Sequence, residues 1–111
     1  MPTLLHRLSD WAHTRPSDVA QKYKDSSGVW HGISVKEYWE RVFHFALFLE
    51  SHGFGAGDVL AILSYNCPEW SHIDLAATFV GGKSAGLYPN ASQKNIHYIL
   101  DHTQAKVLAV Q

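Results

Sequence analysis

Apolar residues recur at helical spacing from the start of the chain. Leu4, Leu5, Leu8, Trp11 and Ala12 form one face, predicting a helix capped by Thr3 and running to about Thr14. Pro16 ends it, because the residue before a proline, Arg15, is disfavoured in the helical region. Val19 to Lys24 then reads as a strand with Val19, Gln21 and Tyr23 on one face. Asp25-Ser26-Ser27-Gly28 has turn composition, and Val29 to Ile33 is the return strand of a hairpin. A longer stripe follows: Val35, Tyr38, Trp39, Val42, Phe45, Ala46 and Leu49 predict a helix to about His52. Ser34-Val35-Lys36-Glu37 has the spacing of a capping box, in which serine oxygen and glutamate carboxylate reach each other's backbone amides. Phe43, Leu47 and Phe48 extend the apolar surface around this helix and predict that it is covered on more than one side. Gly53 supplies a left-handed C-terminal cap, with Phe54 as its hydrophobic contact.

The pattern then changes. Val59-Leu60-Ala61-Ile62-Leu63 is apolar without alternation, as in a strand covered on both faces. Asn66 or Cys67 begins the next helix, with Pro68 in its first turn and Trp70, Ile73, Ala76, Ala77 and Val80 on its apolar face. Gly81-Gly82 ends it. Ser84 to Tyr88 is a short strand closed by Pro89. Ser92 caps a helix to about His102, with Ile96, Ile99 and Leu100 inward, and Lys106 to Val110 is the last strand. From residue 34 onward helix and strand alternate, which requires parallel strands joined by crossover helices. The expected fold is α/β: a three-layer, doubly wound, mostly parallel sheet with helices on both faces, preceded by a β-hairpin. The last strand needs a layer on each face, yet no helix follows it before Gln111. It is either an edge strand or the end of a first portion. The reading adopted is the second: residues 1–111 are one α/β unit, the N-terminal part of a larger domain.

Composition narrows the function classes. The 111 residues are 46% hydrophobic and 17% charged, the balance of a globular chain. Nine basic against ten acidic residues, scattered along the chain, give no electrostatic case for nucleic acid. One cysteine excludes an internal disulfide framework and fits a reducing compartment. The N-terminus lacks the pattern of a secretory signal, and Phe45–Leu49 is far shorter than the roughly 20 residues of a membrane span. The expected location is the cytoplasm.

The candidate chemistry is sparse. Gly53, Gly55 and Gly57 follow a helix and open a strand, the reverse of a dinucleotide fingerprint, so a helix stop plus turn is the favoured reading. No phosphate-binding Gly-x-x-x-x-Gly-Lys-Ser/Thr loop is present. Eight histidines raise the question of a metal. However, His97 and His102 are five apart, and His6 and His13 lie two turns apart, so neither pair has ligand spacing. His52 and His102 fit better as complements to helix dipoles. Cys67 sits at a helix start, where thiol pKa falls, with His72 five residues on; a half-buried thiol in a turn is favoured over a nucleophile. Asp58 and Asp74 lack the acidic cluster of a phospho-acceptor site, since Ser64, Tyr65 and Asn66 follow the central strand. The residues therefore assign no catalytic, cofactor-binding or metal site. The Ser64–Pro68 and Tyr88–Asn90 turns remain as the place where a stand-alone binding module would hold a ligand.

Two passages resemble the adenylate-forming superfamily of acyl-CoA synthetases. One is the Gly57-Asp58 turn, the strand Val59–Leu63, then Ser64-Tyr65-Asn66-Cys67-Pro68-Glu69-Trp70 and Asp74-Leu75-Ala76. The other is Gly86-Leu87-Tyr88-Pro89-Asn90, with Tyr98-Ile99-Leu100 and Ala105-Lys106-Val107 beyond it, most similar to the long-chain fatty acid branch. Trp30-His31-Gly32-Ile33-Ser34 before the long helix also fits. Asn90 departs from the threonine usual after Tyr-Pro, and Cys67 from a usually polar or basic position. The resemblance spans roughly Leu5 to Val110. It implies a parent enzyme that activates a fatty acid with ATP and Mg²⁺ and transfers it to coenzyme A, releasing AMP. It also implies that the phosphate loop, adenine-binding motif and catalytic lysine lie downstream. On this resemblance the 111-residue segment is scaffold, inactive alone. Its partners are the rest of the parent chain and, through exposed apolar surface, a second copy.

Overall fold

The computed structural model describes residues 3–111. Helix α1, Leu4–Thr14, begins where Thr3 Oγ1 accepts the His6 amide, and the His6 ring reaches back to the Thr3 amide. Strands β1 (Val19–Lys24) and β2 (Trp30–Ser34) form an antiparallel hairpin closed by Asp25, whose carboxylate accepts the Ser27 and Val29 amides. The register shifts between Val19 and Gln21. Gln21 and Tyr23 are half-buried, while Val19 is exposed, so the three do not share one covered face as the alternation predicts.

Helix α2 runs Val35–Ser51, with Ser34 Oγ accepting the Glu37 amide at 3.1 Å. The Glu37 carboxylate instead pairs with Arg41 at 2.8 Å, one turn on. A cation at i+4 has drawn the side chain away from the amide it would have capped. Val35, Tyr38, Val42, Ala46 and Leu49 are buried along one stripe. The expected second cover is not there: Phe43, Leu47 and Phe48 are 38%, 49% and 51% exposed. Gly53, at φ +79°, completes the helix stop: its amide bonds Glu50 O, and the Phe54 amide bonds Leu49 O. Phe54 is buried, as the cap requires of its hydrophobic contact.

Strands β3 (Val59–Leu63), β4 (Lys83–Leu87) and β5 (Val107–Val110) form a parallel sheet in the order β4-β3-β5, separate from the hairpin. Leu60, Ala61 and Ile62 in the central strand are buried, so it is covered on both faces. Helix α3, Pro68–Phe79, connects β3 to β4, and helix α4, Gln93–Thr103, connects β4 to β5. The two crossovers run in opposite directions from β4's side of the sheet, so right-handed connections place α3 and α4 on opposite faces. This is the doubly wound arrangement expected from the alternation. The core joins Leu60 and Ile62 to α2 and α3, with Val107 and Ala109 packed against it.

The other face is thin. No residue of α4 is buried, and Ile96, Ile99 and Leu100 are only half-covered. Leu108 and Val110 of β5 are exposed. The radius of gyration is 15.1 Å, against about 13 Å for a compact domain of this length. The accessible surface is 7417 Å², where a closed monomer of this mass shows roughly 6,200 Å².

Candidate functional site

Ligands of open α/β sheets bind outside the carboxyl ends of the strands. At the ends of β3 and β4 the turns Ser64–Pro68 and Tyr88–Asn90 come together. They enclose a cleft of about 650 Å³ walled by Tyr65, Asn66, Trp70, Tyr88 and Asn90. Gly86 gives Trp70 its place: a methyl group there would stand 3.0 Å from the indole ring. On the β5 side, Ser64 Oγ lies 2.8 Å from the Tyr65 carbonyl oxygen and from Gln111 Oε1, and 3.5 Å from Cys67 Sγ. A second hollow of about 560 Å³ separates α1 from the hairpin and has apolar walls from Leu4, Leu8, Trp11 and Val19.

The other candidate residues are held in structural roles. His72 does not serve Cys67. It is buried, its Nε2 stands 2.7 Å from Gln21 Oε1, and its ring meets the edge of Tyr38. Gln21 Nε2 donates to Ser71 Oγ at 2.8 Å, the Tyr38 hydroxyl donates to the same oxygen at 3.0 Å, and Ser71 donates to the Pro68 carbonyl. This network fastens the hairpin to α2 and α3. Burial pushes the His72 pKa down, reinforced by the nearby Arg41 charge, and burial pushes the Tyr38 hydroxyl up. Asp58 accepts the Gly55 amide at 2.9 Å and faces Lys106 at 3.4 Å; the amide bond first, then Lys106, hold its carboxyl below the usual range. Lys106 also donates to the Gly53 carbonyl at 2.6 Å, tying the start of β5 to the end of α2. Asp74 is taken up by the Ser84 hydroxyl on β4. Asp58 and Asp74 are thus engaged with different partners.

The histidines are dispersed. His6 caps α1, His13 and His52 turn Nδ1 to helix carbonyls, His31 pairs with Asp25, and His102 stacks on Tyr98. Among the described residues, no three His, Cys, Asp or Glu side chains gather into a group able to hold a metal. No described helix is long and apolar enough to cross a membrane.

Residues 8–111 match the family model described as AMP-binding enzyme. The chain belongs to the AMP-binding enzyme family. Its curated relatives include the Drosophila melanogaster long-chain-fatty-acid–CoA ligase heimdall, 36% identical over 81 residues, which make up 73% of this chain and 12% of that protein. The Xenopus laevis long-chain-fatty-acid–CoA ligase ACSBG2 is 26% identical over 110 residues, 99% of this chain and 15% of that protein. This member of the family therefore spans a small part of the relatives it matches. Its fold is shared with the N-terminal subdomain of Klebsiella oxytoca NpsA in complex with 3-hydroxyanthranilyl-AMSN, at TM-score 0.84 and 21% identity, over 99% of this chain and 27% of that one. The fatty acid AMP ligase from Legionella pneumophila is similar at TM-score 0.88 and 14% identity, over 97% and 19% of the two chains. At such identities these two structures speak for the fold.

Proposed function

We propose that residues 1–111 are the opening portion of the large N-terminal domain of an AMP-forming long-chain fatty acid–CoA ligase. The whole enzyme works in the cytoplasm. There the fatty acid carboxylate attacks the α-phosphorus of ATP, pyrophosphate leaves, and the coenzyme A thiol then displaces AMP from the acyl-adenylate. ATP, Mg²⁺ and coenzyme A are bound by the remainder of the enzyme, and no partner nucleic acid is involved.

The residues present do not fit a nucleoside triphosphate. The positive-φ glycines that follow α2 and α3 close helices and open no helix toward a phosphate. The turn from β3 into α3 carries the Glu69 carboxylate in the helix's first turn, the charge a phosphate would displace. No step of the chemistry is therefore assigned to this segment, whose role is scaffold. The observation that carries the reading is the family match across residues 8–111, combined with a chain spanning only 12–15% of its first relatives. The surplus apolar surface on β5 and α4 is what a scaffold waiting for its neighbouring layers would show.

The purified 111-residue chain is expected to give no fatty-acid-dependent ATP–pyrophosphate exchange above a no-protein control. The longer product of the same reading frame is expected to give it. Exchange by the short chain would overturn the scaffold role, and a fatty-acid-independent longer product would overturn the ligase reading. The cleft between Tyr65 and Tyr88 supports a second reading, a self-contained binding module. That reading expects saturable binding of a small ligand by the short chain and loss of it in Trp70→Ala.

A further inference from the structure

The β1–β2 hairpin is a two-stranded sheet apart from the parallel one, and its two faces differ. On the inward face Ile33 is buried, and Gln21 bonds Ser71 and stands 2.7 Å from His72. These contacts fix the ribbon on α2 and α3 and turn its other face outward. The outward positions of β1 are Ala20, Lys22 and Lys24, all exposed. Lys22 lies opposite Gly32, and Lys24 lies opposite Trp30. Trp30 is 62% exposed, the most exposed of the four tryptophans. Gly32, next on that face, sets no side chain beside the indole, and Lys24 Nζ stands 5.8 Å from its ring. Val29 at the tip is exposed as well. The one acid of the hairpin, Asp25, is engaged: its carboxylate accepts the Ser27 and Val29 amides and faces His31 at 2.7 Å. Glu69 of α3 borders the hollow beside the two lysines, yet among the described residues neither Lys22 nor Lys24 makes an ion pair.

We propose that this face rests on an anionic bilayer surface, with Trp30 and Val29 at headgroup level and Lys22 and Lys24 on the anionic headgroups. Indole settles at that level because its body is apolar and its N–H is polar. Lysine stems lie along an apolar neighbour while their ammonium groups reach the charge beside it. The charge is complementary, since the hairpin's two free charges are both positive and its carboxylate is already bonded. Size favours lipid over a protein partner. The strands of a ribbon lie about 4.8 Å apart, too narrow to supply the roughly 800 Å² that a stable protein partner covers. A bilayer is soft and continuous, and a small wedge needs no matching shape in it. The inference rests on the surface of the hairpin and not on the ligase reading.

Co-sedimentation of the full product of the reading frame with vesicles tests it, using phosphatidylcholine alone and phosphatidylcholine with one-third phosphatidylserine. The expected result is partition onto the phosphatidylserine vesicles that falls as salt is raised. A lysine near such a surface is worth about fivefold in binding, so Lys22→Ser with Lys24→Ser is expected to weaken partition more than about tenfold. Trp30→Ser is expected to weaken it severalfold. Lys36→Ser with Lys94→Ser removes the same charge from exposed positions on α2 and α4 and is expected to leave it nearly unchanged. All five positions are exposed, and far-ultraviolet circular dichroism is expected to be unchanged in each variant. Absence of partition would overturn the proposal, as would be found if a protein partner or another part of the chain covers the hairpin. Equal partition onto both vesicles, an equal loss in the Lys36 and Lys94 variant, or no loss in Trp30→Ser would also overturn it.

Discussion

Of the eight glycines, Gly82 leaves the least room for a side chain, and replacing it with alanine is a direct test of how the core is closed. A Cβ at Gly82 would stand 2.4 Å from Phe54 Cε1, 2.7 Å from Cζ and 3.0 Å from the Asp58 carbonyl oxygen. Two of these are shorter than any tolerated contact. The ring cannot swing away, because Phe54 is 2% exposed and its backbone is held by the stop after α2. Nor can Gly82 easily retreat, since its amide bonds the Ala77 carbonyl at the end of α3. Overpacking of a closed site costs about 1–3 kcal/mol. With a urea slope of roughly 1–2 kcal/mol per molar, the unfolding midpoint of Gly82→Ala falls by about 1 M. Phe54→Leu removes the two ring atoms that clash. It destabilises by itself, yet adding Gly82→Ala to it should then cost little, a coupling of about 1 kcal/mol or more between the two sites. Gly55→Ala is the control: no heavy atom lies within 4 Å of its added carbon, and stability should change by no more than about 0.5 kcal/mol. A Gly82→Ala variant as stable as wild type, or one whose loss is the same with Leu at position 54, would refute this account of the core.

Two further predictions concern residues on either side of that core. His72 faces Gln21 on β1, Tyr38, Glu37 and Arg41 on α2, and Glu69 on α3, and its pKa is pushed below 6.5 by burial. The unfolded chain binds this proton more readily, so the contribution of His72 to stability is present above about pH 6.5 and is lost as pH falls through its folded value. In denaturant melts at successive pH values, His72→Gln should lose less stability than wild type between pH 7 and the lower value, and parallel curves would contradict this. Gln104 holds φ +54° at the stop after α4, a left-handed position that costs a side chain about 1 kcal/mol. Gln104→Gly should raise stability by a few tenths of a kcal/mol after the greater freedom of the unfolded chain is counted, and a fall in the urea midpoint would count against it.

Much of the fold was legible because its signals are local. Thr3, Ser34 and Ser92 cap the helices they were expected to cap, and Gly53 and Gly81 stop α2 and α3 in the left-handed region. The unbroken apolar run Val59–Leu63 proved to be the strand covered on both sides. What escaped depends on distant partners. Gln21 and His72 lie 51 residues apart, and their pairing has no sequence signal beyond a glutamine that alternation sets on one face of β1 with Val19 and Tyr23. Glu37 had two partners within reach, and the ion pair with Arg41 prevailed over the cap. The exposure of Phe43, Leu47 and Phe48 was not legible either, since an apolar pattern reports what can be covered and not what covers it. The site was legible in place only: the turns after β3 and β4 meet as expected, yet the residues in them carry no chemistry that names a ligand.

If this chain is the scaffold opening of an AMP-forming fatty acid ligase, as proposed, the codons beyond Gln111 in the source DNA decide the matter. The expected result is an open frame of several hundred codons, with a Thr/Ser/Gly-rich phosphate loop and a late catalytic lysine. A stop codon immediately after Gln111 would contradict it.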